Sequence, residues 1–309
     1  MDEQRFSYGG QAVLEGVMMR GRRQATVAVR RPDGELAFKH ISLPEEARPR
    51  WTTLPVLRGI YGLREAFTVG RQALDFSAVV VADEGEEDLS PLAQVLVFGV
   101  AFAIAIGLFV IMPSTVANYL YVQFGWPIIV REVVEGLFNL ALVVAYIYAI
   151  SQLRDIQRVF GYHGAEHKVI NAYEAGAPLT VEGVRPFSRI HPRCGTSFLV
   201  ILALIGFVIF LAVATLPLWQ RIGARIVLIP LVAAVGFEFM RLAAANYHRP
   251  WVRRLLDPAL SSQHLTTREP DDAMLATAIA ALIPVLEADG VVPKPAVANE
   301  PDQTLALST

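Results

Sequence analysis

The stretch LAQVLVFGVAFAIAIGLFVIM, residues 92–112, has no charged side chain in 21 consecutive positions. A helix of this length spans the roughly 30 Å of hydrocarbon in a bilayer. Three further apolar stretches follow it, at 136–153, 197–218 and about 226–245. Glu238 and Arg241 lie one turn apart in the last stretch, where a structural ion pair or contact with lipid headgroups is expected before a transport path. The pattern predicts a mainly α protein with a four-helix transmembrane bundle.

Composition and charge agree with this prediction and suggest an orientation. Of the 309 residues, 54% are hydrophobic, and the mean hydropathy of +0.43 is typical of a membrane protein. Arginine and lysine are frequent before the first span and in the 154–196 connection, whereas Arg131 is the only basic residue of 113–132. By the positive-inside rule, we expect a multipass protein of the bacterial plasma membrane with both termini in the cytoplasm. The first span would serve as the insertion signal, and the single cysteine fits a reducing compartment.

These boundaries divide the chain into five predicted parts. Residues 1–90 form a cytoplasmic segment, 91–153 and 197–245 form two transmembrane hairpins, 154–196 is a cytoplasmic loop, and 246–309 is a cytoplasmic tail. The acidic run 83–88 is expected to be a linker, and the tail is expected to be disordered after about residue 287.

The N-terminal segment is predicted to be a small α+β unit. Residues 25–31 and 35–41 flank a Pro-Asp-Gly turn, which predicts a β-hairpin. Residues 54–76 show helical apolar spacing interrupted by arginines, which fits an amphipathic helix on the inner leaflet or bundle, or a core helix of a soluble domain. The glycine-rich stretch 9–21 lacks phosphate-loop and dinucleotide spacing, so its glycines are assigned to tight packing. We expect neither a nucleotide nor a nucleic-acid partner.

A cluster of metal-ligand side chains lies in the 154–196 loop. His163 and His167 are one helical turn apart and can bind one ion from the same face, with Glu166 beside them. His191 and Cys194 follow in the same loop of a chain that has six histidines and one cysteine. Thiolate and imidazole ligands suit zinc, so one zinc ion per chain is expected.

The role of this metal depends on the fourth ligand. If His191 binds beside His163, His167 and Cys194, the site is closed and structural. If His191 only orients a ligand, a water position stays open, and Glu166 can act as general base. A Cys-His nucleophilic site is a third interpretation.

The order His-x-x-Glu-His also occurs in inverzincin peptidases, but their distant third carboxylate has no evident counterpart here. Glu174 is on the same face of the predicted helix as His163, but about 10 Å of helical rise beyond His167.

Five motifs resemble the YqhQ-like family of bacterial multipass membrane proteins over about residues 8–283. They are GGQAVLEGVMMRG (9–21), PVLRG (55–59), YHGAEHK (162–168), HPRCGTSF (191–198) and LTTREP (265–270). The family is described chiefly as a domain of unknown function and a predicted metal-dependent enzyme. The resemblance therefore implies a membrane protein with a metal site and names no substrate.

Two functions from different classes follow. The first is a zinc-dependent hydrolase acting near the inner leaflet, with His163, His167 and Cys194 as ligands, Glu166 as base and His191 as fourth ligand or orienting group. The second is a non-enzymatic scaffold or regulator in which the metal is structural. Its partners would be the lipid bilayer and other membrane proteins. An open coordination position favours the enzyme and a closed four-ligand site favours the scaffold.

Overall fold

The computed structural model describes residues 6, 8–43, 54–55, 57–82 and 90–291. It shows a mainly helical chain with an N-terminal antiparallel sheet in the order β1-β2-β3-β4. The strands are β1 (Gly9–Val13), β2 (Gly16–Arg20), β3 (Gln24–Arg30) and β4 (Leu36–Ser42). The acidic run 83–88 and the region beyond 291 lie outside the described residues, so the predicted linker and tail disorder stay predictions there.

The predicted hairpin is β3–β4, and the structure adds a second hairpin before it. Gly34 adopts a φ of +93° in the β3–β4 turn, which explains the Asp-Gly signal. The glycine-rich stretch forms β1 and β2, joined by a tight turn in which Glu15 has a φ of 48°. The glycines do serve close packing, because a Cβ on Gly16 would lie 2.3 Å from the carbonyl oxygen of Ala28.

Helices cover both faces of this sheet. The helix α1 (Leu57–Val81) packs on one face through a core that includes Val27, Val29, Val69 and Ala73. On the other face lie α5 (Arg154–Glu174) and α11 (Asp272–Ala288), whose core with the sheet includes Val17, Met19, Val169, Leu282 and Val285. The central strands are therefore buried on both sides. Strands buried on both sides are apolar on both faces, so β2 and β3 lack the alternation of polar and apolar residues that identifies a half-buried strand.

The predicted amphipathic helix is α1, and it connects the sheet to an apolar helix. Its first half packs on α8 (Leu218–Ala245), where a Cβ on Gly59 would lie 3.1 Å from the carbonyl oxygen of Ala234. Its second half contributes Val69 and Ala73 to the sheet core. The sequence left open whether this helix packs against the apolar helices or in a folded core. In the structure α1 contacts α8 with its first half and the sheet core with its second half.

Three helical stretches of the described residues are long and apolar enough to cross a membrane, at Val95–Phe124, Ile128–Ile150 and Leu218–Ala245. The first consists of α2 (Pro91–Ile106), a π-helical turn (Gly107–Ile111) and α3 (Met112–Phe124). It continues twelve residues beyond the predicted end at 112, through Pro113 and the polar residues after it, and the hydroxyl of Thr115 donates to the helix carbonyl of Ile111. The connection to α4 (Ile128–Ile150) is only 125–127, and Arg131 is buried inside α4.

The apolar run 197–218 forms a shorter helix than expected. After the single helical turn α6 (Val181–Val184) comes α7 (Gly195–Phe210), which ends in a 3-10 turn, Leu211–Val213. The apolar stretch of this helix is Phe198–Val213. Sixteen residues rise about 24 Å, which is less than the roughly 30 Å hydrocarbon thickness. The four-helix transmembrane bundle therefore stays a prediction for this element.

The segment from 246 onward is helical and partly buried instead of forming a simple tail. The helix α9 (Pro250–Ser261) packs Val252 and Leu256 on α7. A single turn, α10 (Gln263–Thr266), leads into an extended stretch that runs alongside α5 before α11 begins. The side chain of Asp271 caps α11 by accepting from the amide of Met274. These last elements bring residues 263–270 next to the predicted metal loop.

Candidate metal centre

The helix α5 places His163 and His167 on one face, with ring centroids 4.4 Å apart. Gly164 lies between them, and a Cβ there would be 2.1 Å from the carbonyl oxygen of Arg268. The absence of a side chain lets the extended stretch after α10 lie directly against α5. There the amide of Arg268 donates to the carbonyl of Phe160 at 2.8 Å. The glycine in the His-Gly-Ala-Glu-His motif is therefore a packing requirement.

Both histidines have their orientation fixed by backbone carbonyls. The Nδ1 of His163 lies 2.8 Å from the carbonyl oxygen of Thr266, and the Nδ1 of His167 lies 2.6 Å from that of Arg189. A carbonyl can only accept, so each Nδ1 carries a hydrogen, and in the neutral form of the ring the free lone pair is then on Nε2. This arrangement is how proteins set imidazoles for metal binding.

Cys194 completes a compact group of three ligands. Its sulfur lies 3.2 Å from Nε2 of His163, and the ligand atoms of His163, His167 and Cys194 all lie within 4.8 Å of one another. The donor set of two imidazoles and one thiol fits zinc, whose bonds to these atoms are about 2.0–2.3 Å long. The structure thus brings together three of the four predicted metal ligands.

His191 lies beside this group and outside it. Its ring centroid is 5.7 Å from that of His167, and its Nε2 has no hydrogen-bond partner among the described residues. A carboxylate oxygen of Glu174 lies 3.7 Å from this Nε2. Burial lowers the pKa of His191, and the charge of Glu166 raises it by a smaller amount, so the imidazole is neutral near pH 7.

Gln263 holds His191 in place and was not identified from sequence. This buried side chain accepts from the amide of His191 at 2.9 Å and donates to its carbonyl at 2.8 Å. The two residues are 72 positions apart, and a glutamine carries no spacing signal of its own. The LTTREP motif (265–270) was the nearest signal in the sequence that this region is important. Its residues Thr266 and Arg268 contact α5 in the same region.

Glu166 lies between the metal group and the sheet. Its Oε2 is 3.4 Å from Nε2 of His167, and a Cβ on Gly10 would lie 2.9 Å from its Cγ. Strand β1 therefore covers this carboxylate, and only a glycine at position 10 leaves room for it. The carboxylate is 5% exposed. Glu166 is thus positioned next to a ligand nitrogen, as a base or a further ligand would be.

Two other predicted features lie away from this centre. Glu238 forms a two-pronged ion pair with Arg58 of α1, and Arg241 is 3.7 Å from the same carboxylate. This contact agrees with the structural ion pair expected for Glu238. Glu174 is not in the three-ligand group, but it pairs with Arg193 and reaches His191.

Comparison with known proteins identifies a family whose function is not known. The family described as "Protein of unknown function (DUF1385)" matches residues 54–288. A protein of Bacillus subtilis (strain 168), named "Uncharacterized protein YqhQ", is 38% identical over 289 residues, which cover 88% of this chain and 90% of that protein. No solved structure gives a significant match. The chain therefore belongs to the DUF1385 family, and the predicted YqhQ-like resemblance is confirmed.

Proposed function

We propose that this protein is a zinc-dependent hydrolase of the bacterial plasma membrane, acting on a substrate near the inner leaflet. The observation that carries the proposal is the group formed by His163, His167 and Cys194, whose ligand atoms lie within 4.8 Å of one another. Glu166 supports it, because its carboxylate is 3.4 Å from Nε2 of His167. His191 is not part of this group of ligand atoms. A site with three protein ligands has one coordination position open for water, as a hydrolase needs.

The chemistry assigns different tasks to these side chains. His163, His167 and Cys194 would hold the zinc ion, which when bound would supply a water of lowered pKa. Glu166, 3.4 Å from Nε2 of His167, would serve as the general base that accepts a proton and donates it to the leaving group. Burial beneath β1 limits access of bulk water to Glu166. The carbonyls of Thr266 and Arg189 keep the two imidazoles in the tautomer that this requires.

The second candidate is a non-enzymatic scaffold or regulator with a structural metal ion. The burial of the ligand side chains favours it. His167 is 1% exposed and Cys194 is 6% exposed, so little of the ligand group faces solvent. A structural ion there would join α5 to the residues before α7 and would stabilise the fold. The cytoplasmic face and apolar helices would then bind other membrane proteins.

One substitution separates the two candidates. Glu166→Gln keeps the size and hydrogen bonding of the side chain but removes its ability to accept a proton. A hydrolase variant should keep zinc and fold while losing a factor of about 10²–10⁴ in rate. Because the substrate is unknown, the assay is rescue of a strain that lacks the protein, together with zinc analysis of the purified variant.

The matched control is Asp155→Asn, an exposed carboxylate on the same helix, which should rescue fully. Failure of Glu166→Gln to rescue, with zinc retained, supports the hydrolase. If Glu166→Gln rescues the strain fully and His163→Ala does not, the hydrolase is wrong and the scaffold is supported. Loss of zinc from Glu166→Gln makes Glu166 a ligand.

A further inference from the structure

A polar cavity of about 590 Å³ lies at the end of α4, next to the metal centre. Its walls are the end of α4, one side chain from the segment before α7, and α10 with the extended stretch that follows. The metal centre uses the backbone of this last wall, since the carbonyl of Thr266 holds His163. The side chains of Leu265, Thr267 and Arg268 line the cavity. None of the three proposed zinc ligands lines it, so the cavity is separate from the zinc site.

The cavity carries an excess of positive charge. Its charged lining residues are Arg189, Arg268 and Glu269. Glu269 forms an ion pair with the buried Lys168, so its negative charge is already balanced. Within the part of the chain that the structure describes, neither arginine has a carboxylate partner. Two guanidinium groups therefore remain for an anion from outside the chain.

Backbone contacts hold both arginines at the cavity wall. Arg189 donates to the carbonyl of Thr267, and Arg268 donates to the carbonyl of Ser151 at 3.1 Å. The amide of Arg268 is fixed in turn by the carbonyl of Phe160 at 2.8 Å. A guanidinium has five N–H donors, and these bonds use only one nitrogen of each group. Both side chains are thus positioned and keep donors that can bind an oxyanion.

A shallow apolar groove of about 520 Å³ continues from this cavity along α4. Tyr148 and Leu265 line both the cavity and the groove. The other groove residues recur every three or four positions on one face of α4 and are Leu137, Leu140, Ala141, Val144 and Ala145. From Leu137 to Tyr148 the helix rises about 16 Å, close to half of the roughly 30 Å hydrocarbon thickness of a bilayer. The groove is therefore about as long as one leaflet is deep.

We propose that the cavity and the groove together bind one anionic phospholipid. Its phosphate accepts hydrogen bonds from Arg189 and Arg268, and one acyl chain lies in the groove along α4. The planar fork of a guanidinium matches two oxygens of a phosphate. By the predicted orientation this end of α4 is at the cytoplasmic leaflet, whose anionic lipids attract basic side chains. A free phosphate has the same headgroup chemistry, but the continuous apolar groove favours a lipid as its source.

The first test concerns the headgroup and uses the full chain, purified in detergent and stripped of lipid. Phosphatidylglycerol, phosphatidylcholine and inorganic phosphate are added separately, and binding is followed by native mass spectrometry and thermal unfolding. We expect wild-type protein to gain thermal stability from phosphatidylglycerol and little from phosphatidylcholine, which has the same phosphodiester but no net charge. Arg268→Gln should bind phosphatidylglycerol about tenfold more weakly, the usual effect of losing a charged hydrogen bond. Arg254→Gln, the same change at an exposed arginine of α9, should bind as wild type does.

A second pair of variants tests the acyl chain without altering a charge. Ala145 lines the groove and is exposed, so Ala145→Phe fills the groove with no clash inside the fold. It should weaken phosphatidylglycerol binding, whereas Ala149→Phe, an exposed position of the same helix that lines neither space, should not.

Three outcomes would overturn the proposal. Stabilisation by inorganic phosphate alone, abolished in Arg268→Gln and unchanged in Ala145→Phe, would assign the cavity to a free anion. An equal gain in stability from phosphatidylcholine would exclude a preference for anionic headgroups. Unchanged phosphatidylglycerol binding in both Arg268→Gln and Arg189→Gln would remove the anion site altogether.

Discussion

The Nε2 atom of His163 lies 3.2 Å from the sulfur of Cys194, although 31 residues separate the two along the chain. The contact joins the middle of α5 to the residue that precedes α7. His167 approaches the same point from one turn along α5. This convergence makes the group a testable metal site.

The first prediction concerns metal content. Wild-type protein purified in detergent should contain close to one zinc per chain, whereas His163→Ala, His167→Ala and Cys194→Ala should each contain much less. The control is His264→Ala, whose side chain is not part of the three-ligand group. Inductively coupled plasma mass spectrometry measures the ratio. Wild-type protein that is free of transition metal and keeps its thermal stability would contradict the site.

The second prediction concerns metal removal. A ligand that binds only the folded state at 1,000 times its Kd stabilises that state by about 4 kcal/mol. Chelation should therefore lower the Tm of wild-type protein by several degrees, and added zinc should restore it. Cys194→Ala should show little response to the chelator. An equal response in wild type and in Cys194→Ala would show that the chelator acts elsewhere.

The third prediction uses two glycines of the same helix. Gly164→Ala would place a Cβ 2.1 Å from the backbone carbonyl of Arg268, whereas Gly161→Ala would meet the flexible end of Met274 at 2.7 Å. Because backbone cannot move aside as a methionine side chain can, Gly164→Ala should destabilise by about 1–3 kcal/mol and Gly161→Ala by less. Gly164→Ala should also bind zinc more weakly, since Thr266 must shift away from His163. Denaturant unfolding and zinc titration measure both effects.

The fourth prediction decides the role of His191. Its Nε2 is outside the three-ligand group, so His191→Ala should keep the metal while binding it about 10–100-fold more weakly. Gln263→Leu should have a similar effect, because it leaves the buried amide and carbonyl of His191 without their side-chain partner. Cobalt substitution reports the outcome, since its absorption depends on coordination number. Loss of all metal from His191→Ala would make it the fourth ligand and favour the structural role.

The fifth prediction concerns topology. Reporters after residue 90, within 175–180 and at the C-terminus should report the cytoplasm, as the arginine distribution implies. The sequence places the outer connection within 113–132, but its residues up to Phe124 belong to α3. The reporter belongs in 125–127, where Gly125 ends the helix with a φ of +63°. An external 154–196 segment would expose Cys194 to an oxidising space and contradict the proposed site.

Sequence alone predicted features whose signal is contained within one segment. Apolar length predicts α4 and α8, the Asp33-Gly34 pair predicts the β3–β4 hairpin, and helical spacing predicts α1. His163 and His167 were identifiable because one helical turn determines their separation. The same kind of signal failed for β2, since residues buried on both faces show no alternation. It also misplaced the end of the first apolar stretch, because polar residues such as Thr115 follow position 112, and in the structure the Thr115 hydroxyl donates to a carbonyl within the continuing helix.

Only the tertiary structure decided the contacts between distant segments. Gln263 reaches His191 across 72 positions, and Arg221 comes to lie beside the charges of α4. Neither pairing leaves a local periodicity, because each depends on how whole helices pack. Burial then determines the chemistry: it isolates the charge of Arg221 and keeps His191 neutral. A sequence specifies which side chains are available, and packing determines which of them lose water and must find a partner.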